Sequence, residues 1–220
     1  GLKQSVSRLP TEDELRQMES ILDRAMADGY AGFSTDALPF HYLANDPHRR
    51  TKIPSQWGTF SELRRLTNVV RQHGRVWQAT PPKDNPLQVL RNFSLSCSRL
   101  WGRTLKTTAV AALDISTNAS LAKLALFLTR VLNSKFMGGH FRFQALAAPF
   151  RVWWDGPINP LSEEIPELRE LNEPDLEDRA ARLALLNDAQ FQQRFRRMWM
   201  LGKRGFNLAR LLRLMKREQY

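Results

Sequence analysis

Side chains able to do chemistry crowd into one irregular stretch of this chain, AGFSTDALPFHYLANDPHRR (Ala31–Arg50). There Asp36 is followed by His41, His48, Arg49 and Arg50. Imidazole and guanidinium groups so placed suit a carboxylate or another anion. The connection from Asp36 to Trp57 is also far longer than the roughly two to six residues usual between a strand and a helix, and long loops are disproportionately functional. A solvated surface loop is the plainer reading of the same residues. Metal chemistry finds little support. His41, His48, His73 and His140 are the four histidines, and no His-x-His, His-x3-His or His-Glu-x2-His occurs. No complete metal centre is expected within this chain. His73, before a helix-ending glycine, should face solvent, and His140 should open a strand. Nucleophilic catalysis is weaker still. Cys97 reads as a core thiol within a helix, and no Gly-x-Ser-x-Gly elbow is present. Trp153-Trp154 beside Asp155-Gly156 could line a pocket or pack at a seam.

A second set of polar residues emerges from strand alternation. In FRFQAL, Phe141, Phe143 and Ala145 share one face, and Arg142 and Gln144 the other. In VWQAT, Trp77 and Ala79 oppose Val76, Gln78 and Thr80. In LKTTAV, Lys106 and Thr108 oppose Thr107. A parallel strand buried on both sides reads as apolar throughout. Polar residues on one face of three strands imply a polar lumen, or else a solvated sheet face.

The elements that must hold these residues alternate. Thr11-Glu12-Asp13-Glu14 has the form of a capping box, followed by Leu15, Met18, Ile21, Leu22 and Ala25 at helical spacing up to Gly29. AGFST then reads as a strand. Thr59–Glu62 repeats the capping pattern, with Leu63, Leu66, Val69 and Val70 behind it and Gly74 as the stop. RVWQATP is the next strand, then a helix from Asp84 and Pro86 to about Trp101. TLKTTAV, a helix from Leu121 to about Leu132, and HFRFQALAAP complete four strands. The alternation calls for a parallel sheet with crossover helices, either part of a (β/α)8 barrel or a doubly wound sheet. The phosphate-binding Gly-x-Gly-x-x-Gly and P-loop patterns are absent, which disfavours nucleotide binding. The expected division is residues 1–150 as βα units of an incomplete barrel. Residues 151–220 would form a helical C-terminal extension: a Trp/Pro-rich loop, an acidic segment and basic amphipathic helices, the last from Phe206 to Arg217.

Charge is unevenly spread. The 220 residues carry a net charge of +11. Residues 191–220 hold nine Lys/Arg and one acid, whereas Ser162–Asp178 holds eight acids and one Arg. Such neighbouring blocks favour solvated or mutually facing surfaces, so nucleic acid is not the expected partner. No apolar run approaches the ~18 residues of a membrane span, and no membrane association is expected. With one cysteine, a reducing, cytoplasmic setting is the default. A chain opening at Gly1 without a charged leader points to an excised piece.

The blocks RLPTEDELRQMESILDRAMADGYAGFST (Arg8–Thr35), PFHYL (Pro39–Leu43), KIPSQWGTFSEL (Lys52–Leu63) and FRFQALAAPFRVWWDGPINPL (Phe141–Leu161) resemble the central portion of the N-acyl-D-amino-acid deacylases. These are the D-aminoacylase-like proteins of the amidohydrolase superfamily. The resemblance covers roughly residues 1–200. It implies strands four to seven of a TIM barrel, and hydrolysis of an N-acyl amino acid by a parent holding zinc or a similar divalent metal. The first-strand His-x-His, a metal-bridging Cys and a late-strand acid/base Asp would lie outside this chain. Where typical members carry a strand histidine in Thr-His-x-Arg, this chain has QATPPK with Gln78 and Thr80, and KTTAVAAL has no histidine on the following strand. No metal ligand is carried over. What the resemblance implies for this chain is a substrate pocket of Ser34, His41, Arg49, Arg50, Gln78, Thr80, Thr108, Arg142 and Gln144. Asp36 is the candidate for a catalytic role, and Arg142, His41, Arg49 or Arg50 would meet the substrate carboxylate. The piece alone should be inactive, needing the remaining barrel segments or self-association. The alternative is a basic α/β nucleic-acid-binding module, or a non-catalytic interaction domain.

Overall fold

A computed structural model describes residues 2–38, 41, 43, 47–48, 51–82, 85–110, 121–145, 166–174 and 178–203. The chain divides into two compact units: one contains the described residues 2–110 and 121–145, the other 166–174 and 178–203.

In the first unit a short helix α1 (Leu2–Ser5) precedes α2 (Glu12–Ala27). The expected capping box closes α2. Thr11 Oγ1 accepts from the Glu14 amide at 3.3 Å, and Glu14 Oε2 accepts from the Thr11 amide at 2.7 Å, an arrangement worth about 1 kcal/mol. Strand β1 (Gly32–Asp36) follows, then a 3-10 turn at Pro54–Gln56 and helix α3 (Phe60–Gln72). Thr59 Oγ1 caps α3 by accepting from the Glu62 amide. Gly74, at φ +62°, takes the left-handed conformation that ends the helix. Strand β2 (Val76–Thr80) leads to α4 (Pro86–Phe93), whose cap is Asn85.

The sequence reading of one helix to Trp101 needs correction. After α4 the chain makes a 3-10 turn at Ser94–Ser96, passes through extended Cys97 and forms only a short α5 (Ser98–Trp101). Ser94 Oγ donates to Arg91 O and Ser96 Oγ to Phe93 O, at 2.6 and 2.8 Å. Such side-chain bonds compete with helix continuation. Cys97 is fully buried as expected, but it lies at the break between helices rather than inside one. Strand β3 (Lys106–Ala109), helix α6 (Leu121–Leu132) and strand β4 (His140–Phe143) complete the unit.

All three strand pairings are parallel, in the order β1-β2-β3-β4. That order never doubles back, as it must in a doubly wound sheet. Of the two arrangements open to the sequence, the described strands have the sequential one. Their register aligns Phe33, Trp77, Thr107 and Phe141, and then Thr35, Ala79, Ala109 and Phe143. Helices cover this face. Leu22 of α2, Val70 of α3, Phe93 of α4 and Leu132 of α6 join Trp77, Ala79, Ala109 and Phe141 in one apolar cluster. Phe93, Phe141 and Phe143 meet with centroids 4.5 to 6.1 Å apart, each such contact adding about 0.5–1.5 kcal/mol beyond its area. Arg65 ties α3 to α2 through Glu12 and Glu19, at 2.7 and 2.6 Å.

The second unit contains α7 (Pro166–Asn172), α8 (Arg179–Asn187) and α9 (Ala189–Lys203). Arg182 donates to Leu171 O and Pro174 O, fixing α8 to the turn before it. Arg194 pairs with Glu170 at 2.6 Å. Phe191, Phe195 and Trp199 stack along α9 with centroids 6.3 and 6.4 Å apart. The Trp153-Trp154 stretch and the basic segment Phe206–Arg217 lie outside the described residues.

Candidate functional site

Strand pairing settles where most of the expected site residues stand. Ser34, Gln78, Thr108 and Arg142 form one row across the sheet, each in register with the next. They point away from the apolar face, because their neighbours along each strand point into it. Ser34 and Arg142 are exposed, Gln78 and Thr108 half-buried. Asp36 and Thr80 pair in the next row toward the strand ends. Gln144 follows β4; its amide donates to Ala109 O at 2.9 Å and its Nε2 to Thr108 Oγ1 at 3.4 Å. Arg142 Nη1 donates to Phe141 O at 2.9 Å. Arg49 and Arg50 lie outside the described residues.

Asp36, the last residue of β1, organises the loop that follows. Its Oδ1 accepts from the Leu38 amide at 2.9 Å, and its Oδ2 bonds His41 Nδ1. The returning 3-10 turn straps the loop in place. Ser55 Oγ donates to Asp36 O at 2.5 Å, and Gln56 Nε2 donates to both Leu38 O and His41 O. The strand-end carboxylate thus sets the orientation of a neighbouring imidazole. In the neutral ring this places the proton on Nδ1 and the lone pair on Nε2, the arrangement of a proton donor and acceptor. Both side chains are partly exposed, 29% for Asp36 and 37% for His41. At His48 it is the backbone carbonyl that holds the loop, accepting from the Thr51 amide at 2.9 Å. His73 is exposed, with Nε2 2.8 Å from Asp23 Oδ1, and His140 opens β4 on the surface.

The row is wide. At ~4.8 Å between strands, Ser34 and Arg142 stand about 14 Å apart. The Asp36–His41 pair and Arg142 therefore serve different parts of any ligand.

A cavity of about 1010 Å³ is bordered by α1, α2, α3 and α4 and by residues from both faces of β1 and β2, with Phe33, Trp77, Ser34, Thr80, Glu62 and Asn92 in its wall. Three of its walls escaped the sequence reading. Burial pushes the Glu62 carboxyl up, against the opposing hydrogen bond of the Thr59 backbone. Gln56 Oε1 and Asn92 Oδ1 are buried acceptors without a hydrogen-bond partner among the described residues. The only advance signal was the spacing Asn85, Gln88, Asn92, a carboxamide stripe on one face of α4.

The described residues of this chain do not by themselves hold the divalent metal that the family resemblance implies. Among the described residues no three His, Cys, Asp or Glu converge on one point, and the best-placed two, Asp36 and His41, are bonded to each other. Among the described residues no helix is long and apolar enough to cross a membrane.

These features define an α/β protein with a sequential parallel sheet, helices on one face and a polar row on the other. Uncharacterized proteins of Mycobacterium tuberculosis (strain H37Rv) and Mycobacterium bovis are each 36% identical to it over 203 residues. The match takes in 90% of this chain and 32% of each relative. The chain therefore spans about a third of the length of the curated relatives it matches. No family model matches the chain, and no solved structure does so significantly.

Proposed function

We propose that this chain is the central sector of a larger amidohydrolase, supplying four consecutive strands of a (β/α)8 barrel that hydrolyses the amide of an N-acyl amino acid. The observation that carries the reading is the in-register row Ser34–Gln78–Thr108–Arg142, capped at the strand ends by Asp36 and His41. All-parallel sheets are normally covered on both faces. Here the described helices supply the apolar cover on one face, and the polar face suits the lumen of a barrel. The length of the matched relatives leaves ample chain for the missing strands and for a metal site.

Within this sector the residues divide by charge. Arg142 is permanently charged and forked, so it anchors the substrate carboxylate. His41 already faces the Asp36 carboxylate, which makes it a poor second anchor for an anion and a suitable group to donate or accept a proton. Gln78, Thr80 and Thr108 offer neutral hydrogen bonds between them.

The test uses the longer protein, supplied with a divalent metal and a panel of N-acyl-D-amino acids, with product followed by mass spectrometry. Arg142→Met should raise KM about 10- to 100-fold, the value of a charge-assisted pair, and leave an N-acyl amine lacking the carboxylate unaffected. Turnover by the 220-residue chain alone overturns the sector reading. Hydrolysis of none of the panel overturns the hydrolase reading.

A further inference from the structure

Away from the sheet's polar face, a second cavity of about 500 Å³ lies along the outer side of α3, walled by Arg64, Asn68, Arg71, Gln72 and Trp101 together with the Arg65–Glu19 pair. Arg64, Asn68 and Arg71 recur at helical spacing, so they share one face of α3. Arg71 is 4% exposed. Its Nη2 donates to Leu95 O at 2.7 Å and its Nη1 to Asn68 Oδ1 at 3.0 Å, while its Nε is buried without a partner among the described residues. Burial alone pushes its pKa down. Two guanidinium groups rest on the aromatic pair that includes Trp101. Arg64 sits 5.7 Å from the Trp101 centroid, and Arg91 sits 4.5 Å from that of Phe60. Phe60 and Trp101 meet edge-on at 5.8 Å. The result is a run of cation, ring, ring, cation beside a buried arginine. Among the described residues, none of Arg64, Arg71 and Arg91 forms an ion pair with a carboxylate.

A buried charge is normally balanced by a partner of opposite sign. Here the described partners of Arg71 are neutral, and the Arg64 guanidinium lines the same cavity. Arg65 adds no free positive charge, since it pairs with Glu19, which also lines the cavity, and with Glu12, which Arg16 shares. We propose that this cavity is an oxyanion-binding site: a phosphate or carboxylate group, free or on a small metabolite, docks between Arg64 and Arg71 at the edge of Trp101. The site is independent of the hydrolase reading, as it shares no residue with the polar row.

The test is a two-dimensional proton–nitrogen NMR titration of the 220-residue chain at constant ionic strength. Inorganic phosphate is exchanged for chloride in one arm and acetate in the other, and the Trp101 indole resonance is assigned by Trp101→Phe. A saturable shift of that resonance is expected. Its presence with phosphate alone assigns a phosphate site, and with acetate as well a general oxyanion site. Arg71→Met should abolish saturation. Arg64→Gln, at an exposed position that leaves the core intact, should weaken binding about tenfold and serves if the first variant does not fold. Removal of charge at exposed Arg196 and Arg197 should change nothing. No saturable shift with either anion, or saturation retained in Arg64→Gln at unchanged affinity, overturns the proposal.

Discussion

Replacing Thr35 by valine removes one hydroxyl while almost preserving side-chain volume. That hydroxyl accepts the indole N–H of Trp77 at 3.0 Å, and Trp77 is 1% exposed. Without it the Trp77 donor stays buried and unmet, a loss of about 1–3 kcal/mol. Valine's better strand propensity returns at most a fraction of ~1 kcal/mol. The expected net loss is therefore about 1–2 kcal/mol, or roughly 2–4 °C in Tm per kcal/mol for a chain of this size. Urea denaturation followed by circular dichroism measures it. Ser34→Val, one residue away but on the exposed face, should stay within about 0.5 kcal/mol of the native protein. A double-mutant cycle with Trp77→Phe should give a coupling of at least about 0.5 kcal/mol. If Thr35→Val is as stable as the native chain, or the cycle is additive, Thr35 does not face the core. The polar row would then lie on the wrong side of the sheet.

Gly32→Ala should destabilise by about 1–3 kcal/mol in the same urea assay, because a Cβ there would stand 2.0 Å from the Val76 carbonyl oxygen of the adjacent strand. Asp36→Ala should speed hydrogen exchange of the Leu38 amide by at least about tenfold, since that amide loses its acceptor; an unchanged rate would show that the carboxylate does not hold the loop. The Arg8 guanidinium, with help from the Thr11 backbone, lowers the Glu14 carboxyl to about 2 from its ordinary 4.5. A depressed carboxylate stabilises the fold above its unfolded value and ceases to do so as pH falls through the folded one. Acid titration followed by helix signal should accordingly show α2 loosening between about pH 4.5 and 2, and Arg8→Gln should move that loss upward in pH.

Much of this structure was legible because local chemistry and global fold agree. Thr11 and Thr59 cap the helices they precede. Alternation in VWQAT and HFRF assigned the buried and open faces that the register then aligned. Sequence could not order the strands, since both a sequential and a doubling-back sheet satisfy the same alternation; pairing decides that. The break at Cys97 was hidden because Ser94 and Ser96 bond backbone carbonyls, an option that apolar spacing does not register. His41 and Asp36 were each legible as candidates, but their contact was not. It depends on Ser55 and Gln56 folding back over the loop from more than a dozen residues away. Glu62 and Asn92 were missed for the same reason, being ordinary helix residues until α3 and α4 meet around the cavity.

The sequential strand order also bears on how the chain is made. Each strand pairs with the strand one βα unit earlier, so no pairing waits for a distant segment to be synthesised. The sheet can lengthen one unit at a time as the polypeptide emerges, each new strand finding its template already formed. Contacts of this intermediate range favour faster formation than a sheet that must first close a long loop. At every stage, however, the newest strand presents an open edge that the next must cover. While β4 is the newest strand, its open edge is available to another chain.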